Sequence, residues 1–180
     1  MAYLAAATAL VGLLATVNLL LTVGVVRRLR EHTTELAELR SGAAVGGGDI
    51  IAPPGSPVGE LVTSDVDGHP VTLGDRALVG FFSPHCEPCR ERLPEFVAHA
   101  AQRAGGVLAV VAGSPEEAAE AVDQLRPVAT VVVEPDQGPV QKAFRVTGFP
   151  AFALVEDGVV TASHYDLTPV ADRDGVAVAG

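Results

Sequence analysis

The chain has 180 residues with 22 acidic against 12 basic side chains, a net charge of −10, and a globular balance of 48% hydrophobic to 19% charged residues. That charge excludes nucleic acid as a partner class. Residues 1–40 carry four Arg against three Glu, so the acidity belongs to the remainder, where it serves solubility.

Residues 2–26 hold no charged side chain, and only Thr8, Thr16, Asn18 and Thr22 interrupt the apolar run. About 20 such residues cross a bilayer as a helix. A secretory signal would need a basic start, a shorter core and a cleavage site of small residues, whereas Arg27-Arg28 follow this run directly. An uncleaved single-pass anchor over 1–27 is expected. Leu29, Leu36 and Leu39, with Glu31, Glu35 and Glu38 between them, then suggest a short helical stalk, and 41–48 is a Gly-rich flexible linker, so 28–52 reads as stalk and linker. A folded domain of about 110 residues is expected over 53–165, beginning near Pro53-Pro54. Arg27, Arg28 and Arg30 all follow the span, which by the positive-inside rule assigns the domain to the cytoplasm.

Within that domain Asp67-Gly68, between Leu61-Val62 and Val71-Thr72-Leu73, reads as the turn of a hairpin. The apolar run 77–82 reads as a buried strand, and the amphipathic run 91–103 as a helix that Pro88 can start and Pro94 should bend. After Gly105-Gly106, a second uninterrupted apolar run at 107–112 completes a strand-helix-strand unit, which implies a right-handed parallel crossover. Ser114-Pro115-Glu116-Glu117 opens a helix to about Leu125 with a cap, a first-turn proline and acids at the positive end. A strand at 130–133, a short helix at 139–145 and a hairpin of 151–155 with 159–163 around Asp157-Gly158 follow. The tail 166–180 has no clear long helix.

The two cysteines, Cys86 and Cys89, fall three residues apart, a spacing that chance gives in about one placement in a hundred. They stand between a strand and a helix, a redox arrangement. At a helix start, residues i and i+3 lie on one side a turn apart, so the sulfurs can close a disulfide ring. The first sulfur meets the free N–H groups and positive end of the helix, which favours thiolate. Cys86 is therefore the expected nucleophile and Cys89 the resolving thiol. No cysteine remains for a structural disulfide or a four-ligand zinc site. His69, His99 and His164 show no metal-ligand spacing, and Glu95 with His99 reads as an exposed helical pair. No metal and no cofactor beyond a redox-active Cys86–Cys89 disulfide is expected.

Three stretches together resemble the thioredoxin superfamily, in the redoxin branch of membrane-anchored TlpA- and ResA-like proteins. They are Cys86-Glu87-Pro88-Cys89 with Phe81-Phe82 before and Pro94 after; Thr147-Gly148-Phe149-Pro150 followed by 151–155; and 57–73. The likeness covers about residues 55–164. It implies an α/β thioredoxin-like fold, a central mixed sheet flanked by helices, behind an N-terminal transmembrane helix. It implies that Pro150, after Phe149, is cis and faces the dithiol, exposing backbone on which an extended substrate segment can pair. It implies a thiol-disulfide oxidoreductase that reduces protein disulfides and is itself re-reduced by a membrane thiol-electron transporter. It also implies an extracytoplasmic domain, against the charge pattern, and that location is adopted as the expectation.

His85 stands where relatives commonly have tryptophan; a protonated imidazole there would favour the Cys86 thiolate, whereas the Glu87 carboxylate would oppose it. Many relatives carry a buried acid at the position of Gly80, and some carry one at the position of Arg92. Proton transfer at Cys89 is thus left to Glu91 or water. Two other readings use the same residues. Ser83, three residues before Cys86, is similar to a peroxiredoxin motif, though Val79 stands where that motif has proline. The other is a non-enzymatic Cu(I)-binding or thiol-sensing module.

Overall fold

The computed structural model describes Gly12, residues 50–103 and residues 106–175. The expected anchor, stalk and linker otherwise lie outside the described residues. Among the described residues no helix is long and apolar enough to cross a membrane.

The apolar run before the dithiol forms β1 (Arg76–Phe82), in which every residue after Arg76 is buried. Burial on both faces is why the strand reads as a continuous run rather than an alternation. After the dithiol comes α1 (Glu87–Ala100), then β2 (Val107–Ala112), α2 (Pro115–Leu125) and β3 (Thr130–Glu134). Then follow α3 (Pro139–Ala143), β4 (Ala151–Glu156), β5 (Val159–His164) and α4 (Thr168–Asp174). The sheet order is β3-β2-β1-β4-β5. β1 and β3 run parallel to β2, and β4 runs antiparallel to both β1 and β5. The expected mixed sheet with parallel crossovers is what forms.

Alternation along β1 divides the core in two. Leu78 and Phe82 face a cluster with Cys89, Leu93 and Phe96 of α1, Ala118 and Leu125 of α2, and Val170 of α4. Ala77, Val79 and Phe81 face Ile51, Ala52, Val71, Val140 and Phe144, so the N-terminal segment and α3 cover the second side. Ile51 and Ala52 are already buried, and Ala52 N–H donates to the Phe144 carbonyl at 2.8 Å. These two residues, just before Pro53, thus pack with the core.

Several element boundaries depart from the sequence reading. α1 ends at Ala100 rather than 103. α3 stops at Ala143 rather than 145, because Arg145 takes a positive φ of 53° that no helix continues through. The expected 61–73 hairpin is a turn closed by one bridge, Ser64 to Pro70, and not a pair of strands. Pro70 has no N–H to give a ladder, and the Asp65 carboxylate accepts the N–H groups of Asp67 and His69 at 2.9 Å each. The tail from 166, read as having no clear long helix, holds the seven-residue α4, whose Val170 and Ala171 are buried against the sheet. The β4–β5 hairpin turns at Asp157-Gly158 with φ of 50° and 76°, the left-handed pair that a two-residue hairpin turn requires.

Candidate active site

Cys86 is the N-cap of α1, in extended backbone conformation (φ −99°, ψ 111°). Its Sγ accepts the Cys89 N–H at 3.2 Å, so a helix-terminal donor points at the sulfur and favours negative charge there. The Cys86–Cys89 disulfide is formed, with Cα atoms 5.2 Å apart. Cys86 is half-buried whereas Cys89 is only 3% exposed, within the apolar cluster of Phe82, Leu93, Phe96 and Phe152. One sulfur is thus open to an incoming partner and the other shielded by one helical turn.

The Phe149–Pro150 peptide is cis. The Phe149 carbonyl oxygen stands 3.5 Å from Cys86 Sγ. Phe149 is half-buried and Pro150 buried. Pro150 leads directly into β4, which pairs with β1 through Phe81 and Ala151, and that pairing brings the loop to the end of β1 where the dithiol begins.

His85 is exposed, and its Nε2 lies 3.0 Å from Glu117 Oε1. Glu117 is the acidic member of the capping box that opens α2. Its carboxylate accepts the Ser114 N–H at 2.9 Å and the Ser114 hydroxyl at 2.8 Å, and Ser114 Oγ in turn accepts the Glu117 N–H. The Ser114 N–H, then the Ser114 hydroxyl, then His85 hold the Glu117 carboxyl below its ordinary range. An ionised carboxylate only accepts, so His85 Nε2 carries the proton between them. The Ser-x-x-Glu pattern is visible in the sequence, but its second partner, His85, lies on another element and has no local signal.

Glu87 and Pro88 are exposed in the first turn of α1. Glu91 is also exposed. Arg92 bridges two acids, Glu95 at 3.0 Å and Asp166 at 3.1 Å. Burial pushes the Asp166 carboxyl up, but the Thr168 N–H and the Arg92 guanidinium outweigh it and leave the group lowered. Asp166 was not among the expected site residues; it lies in the turn after β5 and is brought to α1 by the fold. A Cβ at Gly80 would stand 2.7 Å from Phe96 Cε2 and 2.9 Å from Phe82 Cε2, so the space beside Gly80 is filled by aromatic carbon. Pro94 lies within α1, where it withholds the N–H that would otherwise bond to Arg90. The expected exposed pair of Glu95 and His99 does not form. His99 is buried and bonds Asp174, while Glu95 turns to Arg92.

No protein-family model matches the chain, and no curated protein matches it in sequence. Solved structures do. A thio-disulfide isomerase from Thermus thermophilus is 24% identical, with 69% of this chain and 99% of that one covered and a TM-score of 0.51. A DsbF homologue from Corynebacterium diphtheriae is 14% identical over 68% of this chain and 87% of that one, with a TM-score of 0.50. A thiol-disulfide oxidoreductase from Bacteroides fragilis is 12% identical over 60% and 89%, with a TM-score of 0.50. At these identities the likeness is one of fold, and the fold is thioredoxin-like.

Proposed function

We propose that this chain, with its thioredoxin-like fold, is a membrane-tethered thiol-disulfide oxidoreductase that reduces protein disulfides through Cys86 and Cys89. The observation that carries the reading is the dithiol's setting: a half-buried Cys86 Sγ with the Cys89 N–H at 3.2 Å and the Phe149 carbonyl at 3.5 Å. In the reduced protein the Cys86 thiolate attacks one sulfur of a substrate disulfide. A mixed disulfide forms and the first substrate thiolate leaves, taking up a proton. The Cys89 thiolate then attacks Cys86 Sγ, restoring the Cys86–Cys89 bond and releasing the second substrate thiol. Two electrons pass from the dithiol to the substrate, and the two protons of the dithiol end on its thiols.

The backbone at Phe149, open beside Sγ, can pair with an extended segment around the target cysteine. The uncharged run 2–26 supports the tether, and the domain is taken as extracytoplasmic, served by a membrane thiol-electron transporter. Glu91 or water takes the proton from Cys89, since Gly80 is packed against Phe96 and Arg92 is engaged with Glu95 and Asp166. Equilibration of the full chain against glutathione buffers, with insulin reduction as the activity assay, tests the reading. A potential near that of DsbA, about −120 mV, would reverse the direction to oxidation. Failure to exchange with either glutathione or insulin would end it. Thiol labelling on intact cells decides the side of the membrane.

A further inference from the structure

The loop that delivers Cys86 to α1 is tied to the start of α2. Residues 83–86 form a turn in which the Cys86 N–H donates to the Ser83 carbonyl at 3.1 Å. Within that turn Pro84 packs on Gly113, where an added Cβ would stand 3.3 Å from Pro84 Cγ, and His85 Nε2 donates to Glu117 Oε1 at 3.0 Å. Glu117 is itself anchored, because its carboxylate accepts the Ser114 N–H at 2.9 Å and the Ser114 hydroxyl at 2.8 Å. His85 therefore bonds to a fixed point and not to a free side chain.

The polar partners of Cys86 Sγ depend on where this loop ends. As the N-cap of α1, Cys86 accepts the Cys89 N–H at 3.2 Å and lies 3.5 Å from the Phe149 carbonyl. In the oxidised protein the bond to Cys89 keeps Sγ at that helix end. Reduction removes this bond at the moment the thiolate has to form. The loop is then held by the Ser83 turn, the Pro84 contact and the His85–Glu117 bond, of which the last is the polar tie to a second element, one residue from Cys86.

We propose that Glu117 is a positioning residue for the exchange reaction, holding the reduced Cys86 through His85 at the N-terminus of α1, where its Sγ meets the Cys89 N–H. The inference rests on the exchange activity proposed above. Its test is the pH profile of iodoacetamide alkylation at Cys86 in the reduced full chain in detergent, with insulin reduction read alongside. His85→Ala and Glu117→Ala should each move the midpoint of the profile to higher pH, since a thiolate displaced from a helix N-terminus loses its donor. Each should also lower kcat/KM for insulin by about two- to fivefold, the range an exposed charged pair supplies. His85→Gln, whose side-chain amide has the same reach as Nε2, should restore both, and the double Ala variant should be no worse than Glu117→Ala alone. The other charged side chains in the first turns of the two helices, Glu87, Arg90, Glu91 and Glu116, are exposed and stay in every variant. A profile that His85→Ala leaves in place overturns the proposal. So does a loss that His85→Gln does not restore, which would make the imidazole's charge the agent instead of its bond, and so do losses that add in the double variant. Any of these in a chain that reduces insulin sinks this inference alone. A wild type that exchanges with neither insulin nor glutathione sinks the exchange reading with it.

Discussion

His99 Nε2 and Asp174 Oδ2, 75 residues apart in the chain, meet 3.0 Å apart in the interior. Arg103 makes an ion pair with the same carboxylate, and Arg76 Nη2 donates to the Asp174 carbonyl at 2.8 Å. Together they tie the end of α4 to α1 and β1. Burial pushes the Asp174 carboxyl up, but the hydrogen bonds from Arg103 and His99 pull it further down, so it lies below its ordinary 3.8. A carboxyl lowered by folding stabilises the fold at neutral pH and withdraws that stability as pH falls through 3.8 and below. Asp174→Asn leaves the Arg103 charge buried without its partner and should cost about 3 kcal/mol or more at neutral pH. In urea denaturation the gap between wild type and variant should narrow steadily as the pH is taken down to about 3; a gap that does not change with pH would refute the account.

Gly80 is a packing residue for Phe96. Because an added Cβ would stand 2.7 Å from the Phe96 ring, Gly80→Ala should destabilise the domain by about 1–3 kcal/mol through overpacking. Phe96 stacks on Phe152 and meets Phe82 edge-on, which leaves its ring nowhere to retreat. Adding Phe96→Leu should make the pair less destabilised than the sum of the two single changes, and full additivity in chemical denaturation would show that the two do not touch.

What the sequence made legible was what is written locally. The all-apolar runs of β1 and β2, the Ser114 cap of α2 and the Asp157-Gly158 turn each carry their signal within a few residues. So does the dithiol, where strand, cysteines and Pro88 follow one another. The parts that stayed hidden are held by partners far along the chain. α4 is seven residues long, too short for a helical period to stand out, and it is secured by His99, Arg103 and Arg76 from other elements. Spacing pairs Glu95 with His99 on one side of a helix, but it does not say which side faces the sheet. The turn at 61–73 failed as a strand pair because Asp65 diverts N–H groups that a ladder would need.

Glu134 should matter more than its distance from the cysteines suggests. Buried at the end of β3, its carboxylate accepts the N–H groups of Val140 and Gln141 at 3.0 and 2.9 Å and the Gln141 side-chain amide at 3.0 Å. It thereby caps α3, and a Cβ at Gly138 would collide with it. Glu134→Ala strands three buried donors and should cost about 3 kcal/mol, while Glu134→Gln, which keeps one acceptor oxygen, should cost less. Urea denaturation of the two variants should rank them in that order, with equal losses telling against a capping role.

The unequal exposure of the two sulfurs gives the most direct test of the proposed chemistry. Cys86 is half-buried and receives the Cys89 N–H, whereas Cys89 lies among Phe82, Leu93 and Phe96. A substrate can therefore reach the first sulfur and not the second. Cys89→Ser removes the resolving thiol, so the mixed disulfide at Cys86 has no internal exit and should accumulate, visible by mass spectrometry as an adduct that reductant releases. Cys86→Ser should form no adduct, and its insulin reduction should fall to the uncatalysed background. Steric access, not thiol count, is what separates the two variants, because each keeps one cysteine. If Cys86→Ser instead traps substrate at Cys89 as readily as Cys89→Ser does at Cys86, the assignment of attacking and resolving sulfurs is wrong.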